Sequence, residues 1–123
     1  MELTQEAFAA LVARALDELP VWVRERMDNV AVLVAPWPTR DQLRAARLRG
    51  RGTLLGLYEG VPLTRRGRGY TLQPPDRITL FQRPLEHLAR DEAELIALVQ
   101  RTVIHEIGHH FGLEEKDLNR LGI

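Results

Sequence analysis

The sequence predicts a small α+β domain, and three observations carry that reading. Apolar residues recur with a helical period near the N-terminus and again over residues 91–111. Short runs rich in β-branched and aromatic residues occupy residues 29–35, 53–58 and 77–82. The resulting order (helix, strand, helix, strand, strand, helix) lacks the regular alternation of a parallel α/β fold. The 123 residues are 45% hydrophobic and 28% charged, which suits one globular core, so residues 1–123 are read as a single domain.

Each element has a local cause. Thr4 is placed to cap a helix in which Phe8, Leu11, Val12, Ala15, Leu16 and Leu19 form one apolar stripe, and Pro20 ends it or opens a short second turn. Asn29 to Ala35 is an apolar run closed by Pro36 and Pro38, the pattern of a strand buried on both faces and central in a sheet. Thr39 and Gln42 have the spacing of a capping box ahead of a short helix that stops near Gly50 and Gly52. Thr53 to Tyr58 follows as a strand, then an exposed Gly- and Arg-rich loop from Pro62 to Gly69. Arg77 to Gln82 is the third strand. Asp91 and Glu94 stand as N-cap and third helical residue of a helix running to about Phe111, where Gly112 supplies the stop; residues 114–121 add a turn or two.

Composition excludes several function classes. Seventeen basic and seventeen acidic residues cancel, so no overall field draws the chain to nucleic acid or an anionic membrane. The absence of Cys removes disulfides, thiolate metal sites and a Cys nucleophile, and fits a cytoplasmic location. No basic leader precedes an apolar segment at the N-terminus, and no apolar run is long enough to span a bilayer, so neither export nor membrane insertion is expected.

Chemistry concentrates in HEIGHHFGLEE, where three of the four histidines fall within residues 105–110. On a helix His105 and His109 lie one turn apart and point the same way, so both imidazoles reach one ion at about 2.0–2.1 Å. Glu106 is turned by about 100° from His105, off the ligand line and beside the ion's open position, where a general base belongs. The third ligand must follow the helix, because Leu98 and Thr102 precede His105 on that face and neither is a metal ligand of this kind. Gly112 allows a sharp turn, and Glu114, Glu115 and Asp117 are all carboxylates able to complete a set of two His and one carboxylate.

The segment resembles the extended zincin pattern HExxHxxGxx followed by a ligand. Together with LLGLYEGVPLTRRG, RITLFQ and the short stretch after the motif, it is similar to the bacterial minimal zincins. That resemblance implies a zincin-like α+β fold, with a small mixed sheet packed on an N-terminal helix and an active-site helix. It implies Zn2+ as cofactor, His105, His109 and Glu115 as its ligands, and Glu106 as the catalytic base of a metallopeptidase. The family usually has Asp where Glu115 stands, and Met1 and Met27 both precede the motif, so the Met-turn of the metzincins is missing. In zincins the edge strand before the active-site helix binds an extended peptide; Arg77 to Gln82 holds that place in the chain, which makes a peptide or protein the expected substrate.

Two other readings use the same residues. The 105, 109, 115 spacing is shared with bacterial metal-dependent endoribonucleases, which carry His at the third position and do not need Glu after the first. Residues 40–68 hold eight Arg against two acids, and residues 86–123 hold eight acids against four bases. Charge complementarity within the chain, or plain solvation, is favoured over a nucleic-acid face, since only Tyr58 and Tyr70 are near for stacking. The remaining reading is a non-catalytic interaction module that keeps the scaffold. His110 is expected to be buried on the apolar arc with Val99, Val103 and Ile107, and His87 to lie on the surface.

Overall fold

A computed structural model describes residues 1–48, 54–60 and 75–112. Among the described residues the chain forms five helices and three strands: α1 (Gln5–Asp17), α2 (Val21–Arg26), β1 (Val30–Ala35), α3 (Arg40–Leu48), β2 (Gly56–Glu59), β3 (Asp76–Phe81), α4 (Gln82–Leu88) and α5 (Glu92–His110). The architecture is the α+β arrangement expected, with a small mixed sheet. The expected loop and Tyr70 within residues 61–74, and the turn over residues 114–121, lie outside the described residues.

The helix starts follow their caps. Thr4 accepts the Ala7 N–H at 3.1 Å through its hydroxyl. Gln42 and Thr39 exchange both bonds of a capping box, at 2.8 and 3.1 Å. After Pro20 a second helix does form, α2, with Pro20 itself as its N-cap. The short α4 is absent from the sequence reading. Its Pro84 sits in the first turn, where a missing N–H costs nothing because that group has no intrahelical partner.

The sheet order is β1-β3-β2, with β1 parallel and β2 antiparallel to β3. This corrects two expectations. The apolar run over residues 29–35 is an edge strand among the described residues, half-buried and with Leu33 47% exposed, whereas β3 is central. A run of apolar residues reports burial of side chains but says nothing of how many neighbours the backbone pairs with. Consecutive strands usually lie side by side; here β3 enters between β1 and β2. β3 accordingly buries Ile78, Thr79, Leu80 and Phe81 on both faces.

The pleat divides the sheet into two faces. Val30, Val32, Val34, Tyr58, Ile78 and Leu80 meet the main core with Phe8, Leu11, Val12 and Ala15 of α1 and Leu95, Val99, Val103 and Ile107 of α5. Each fully buried Leu, Ile or Phe contributes roughly 1.5–3 kcal/mol of transfer free energy, so this layer secures the position of α5 against the sheet. The opposite face carries a smaller cluster of Ala46, Leu54, Leu57 and Phe81. The N-terminus is fastened by a buried polar knot: Glu86 accepts the Leu3 N–H at 2.9 Å and an Arg83 guanidinium bond at 2.7 Å, while Gln82 donates to the Leu3 carbonyl at 2.9 Å.

Candidate metal and catalytic site

The candidate site is carried by the last two turns of α5. Its helix begins as expected at Asp91, whose carboxylate accepts the Glu94 N–H at 2.8 Å; Glu94 returns its bond to the Arg90 N–H at 2.9 Å, one residue before the cap. The buried row Leu95, Val99, Val103 and Ile107 fixes the helix's rotation about its axis. That rotation leaves His105 and His109 half-buried on one flank and turns Glu106 inward, where it is 6% exposed. Gly112 follows the helix at φ 82°, the left-handed conformation that glycine adopts without a Cβ penalty, and its N–H donates to the His109 carbonyl at 3.1 Å.

The His105 and His109 rings lie with centroids 6.3 Å apart and planes at 78°. Two imidazole nitrogens each about 2 Å from one zinc ion bring their ring centres to roughly 5 Å, a change within reach of a small side-chain rotation. The donor chemistry also fits, since imidazole with carboxylate is a zinc ligand set. Among the described residues no group of three His, Cys, Asp or Glu converges to hold an ion. Glu114, Glu115 and Asp117, the three candidates for the remaining ligand, lie outside the described residues.

Glu106 is engaged by a partner that no local pattern in the sequence announces. Its Oε1 accepts the backbone N–H of Tyr58 on β2 at 2.8 Å. This bond orients the carboxylate. The same Tyr58 stacks its ring on His110, with centroids 3.9 Å apart and planes at 18°, and donates its hydroxyl to Asp76 Oδ2 at 2.8 Å. His110 Nε2 stands 4.0 Å from that same oxygen. Burial, then the hydrogen bond and charge of Asp76, push the Tyr58 phenol well above the usual tyrosine range, so its hydroxyl stays a donor.

His110 therefore departs from expectation: its side chain is 37% exposed and stacked on an aromatic ring. The apolar arc of α5 runs out at Ile107, one turn before it. His87 is exposed as expected and touches Trp37 edge to face at 5.7 Å. Sequence reasoning missed Tyr58 and Asp76 as neighbours of the motif, because 48 residues separate Tyr58 from Glu106 and only the β2–α5 packing joins them.

No helix among the described residues is long and apolar enough to cross a membrane. No curated protein matches the chain. A family profile described as zincin-like metallopeptidase matches residues 27–123. Because that match takes in all three strands and the whole of the motif helix as well as most of the chain's length, the chain belongs to the zincin-like metallopeptidase family.

Proposed function

We propose that the protein is a zinc-dependent peptidase in which His105, His109 and Glu115 hold the ion and Glu106 is the general base. The observation that carries this reading is the pairing of two half-buried imidazoles on one flank of α5 with an inward, hydrogen-bonded carboxylate on the next position. Zinc held by these residues would supply Lewis-acid activation of the attacking water and of the substrate carbonyl. Glu106 takes the proton of the attacking water on its carboxylate as the oxygen–carbon bond forms. It then gives that proton to the departing amine nitrogen as the carbon–nitrogen bond breaks. The Tyr58 N–H holds Glu106 in place through both transfers.

The expected substrate is an extended peptide, but not on the strand first assigned to it. β3 is central and has a neighbour on each side, so it has no edge to offer; among the described residues β2 is the outer strand beside the motif, with its Tyr58 N–H bonded to Glu106.

The test is Glu106→Gln, which should keep zinc bound, by elemental analysis, while lowering hydrolysis of casein by about 10²–10⁴-fold. Equal turnover in both proteins removes Glu106 from the reaction. A structured RNA assayed beside casein, with and without chelator, separates this reading from a nuclease. Glu115→Ala should weaken zinc uptake more than Glu114→Ala or Asp117→Ala, and the reverse order would move the third ligand.

A further inference from the structure

Strand β2 lies along α5 in a matched register. A Cβ on Gly56 would stand 2.7 Å from Thr102 Cγ2, the Tyr58 N–H meets Glu106, and a Cβ on Gly60 would stand 3.8 Å from His110 Cε1. Two residues of strand advance about 6.6 Å and four residues of helix about 6 Å, so alternate residues of β2 stay level with successive turns of α5. Thr102, Glu106 and His110 thus form one row, distinct from the flank of His105 and His109. Glu106 and His110 of that row both contact Tyr58.

Tyr58 is gripped from two sides. Its ring lies on His110 of α5, and its hydroxyl is bonded to Asp76 at the start of β3. Asp76 is itself held, its N–H donating to the Asn29 carbonyl at 3.1 Å, and Asn29 has the positive φ of 60° that ends the approach to β1. The stack sets the separation of β2 from the last turn of α5, and the Asp76 bond sets where the ring stands over the sheet. The backbone N–H of the same residue has its position relative to Glu106 determined by both.

We propose that Tyr58 is a positioning residue for Glu106, with its ring locked between His110 and Asp76 so that its N–H keeps the Glu106 carboxylate in one orientation. The kinetic consequence rests on the peptidase reading, whereas the contact itself does not. A general base acts only when its oxygen is within hydrogen-bond reach of the proton it takes. A carboxylate that loses an orienting bond spreads over several rotamers, and the fraction in the productive one falls.

Three variants in the full chain test this. Tyr58→Phe removes the Asp76 bond and keeps the stack, His110→Ala removes the stack, and His110→Phe restores an aromatic face without the imidazole. The amide proton resonance of Tyr58, recognised by its shift in Glu106→Ala, reports the contact directly and needs no turnover. His110→Ala should move it toward the Glu106→Ala position and lower kcat by about tenfold at unchanged KM and zinc occupancy. Tyr58→Phe should do the same in part, and His110→Phe should return both readings to within about twofold of the parent. An amide resonance unmoved in His110→Ala and Tyr58→Phe overturns the inference, as does a His110→Phe variant as impaired as His110→Ala, or a loss of kcat that follows zinc occupancy instead of the amide. If the parent protein hydrolyses nothing, the peptidase reading fails, and the amide resonance alone still decides whether His110 and Asp76 position Glu106 through Tyr58.

Discussion

Glu106 serves two ends that substitutions can separate. As an acceptor it satisfies a buried N–H of Tyr58 at 2.8 Å, a task that a Gln side-chain oxygen performs as well. Glu106→Ala should therefore cost about 1–3 kcal/mol in urea unfolding, while Glu106→Gln stays close to the parent; equal losses in the two would mean the Tyr58 bond contributes nothing. Glu86 is a different case, fully buried and bonded to Leu3, Gln82 and Arg83. Burial pushes its carboxyl up, but the Leu3 N–H, Gln82 and Arg83 together outweigh burial and leave it below the usual glutamate range. Its contribution to stability is then complete above the unfolded value of about 4.3 and is lost as pH falls through the lower folded value. Glu86→Gln should melt below the parent at pH 7, with the gap closing as the solution is acidified toward pH ~3. A gap that widens on acidification would reverse the assigned direction of the shift.

The seam between β2 and α5 is the element pair on which the candidate site depends, and Gly56 is its tightest point. A Cβ there would meet Thr102 Cγ2 at 2.7 Å and Leu80 Cδ2 and the Thr79 carbonyl at 3.3 Å each. Gly56→Ala should lower stability by about 1–3 kcal/mol by forcing the strand off the helix. Thr102→Ser in the same chain removes the offending methyl and keeps the hydroxyl that donates to the Leu98 carbonyl at 2.8 Å, so it should recover part of the loss. Additive losses in the double variant would show that the crowding is relieved elsewhere. Nothing of this seam is legible in the chain. Gly56 reads as a weak strand residue and Thr102 as a helix residue with a β-branched side chain; that one must lack a Cβ because the other carries Cγ2 follows only from their meeting. The capping signals at Thr4, Thr39 and Asp91, by contrast, are legible because each spans three residues and needs no partner from elsewhere.

For the molecule as a whole, a bound ion would link the end of α5 to the chain beyond Gly112. A ligand that binds only the folded state at about one hundred times its Kd stabilises by about 2.7 kcal/mol, or about 10 °C in Tm for a domain of this size. Zinc should raise the Tm by that order and chelator should return it, with the shift abolished in His105→Ala and His109→Ala. A full zinc shift surviving in either variant would place the ion elsewhere. Among the described residues the candidate site thus joins two stretches far apart in the chain, the motif helix and β2.

The local pattern of residues was enough to establish the helix-and-strand class, the caps, the apolar stripe of α1, the glycine stop at 112 and the pairing of His105 with His109 on one flank of α5. Each of these depends on spacing within one or two turns, where backbone geometry alone sets which side chains are neighbours. The order of the strands, the exposure of His110 and the Tyr58 bond to Glu106 were decided by the tertiary structure. Strand neighbours are chosen by which backbone edges the packed helices leave available. The environment of a side chain at the end of a helix is set by whatever strand arrives there, and neither quantity has a period that a linear chain can display.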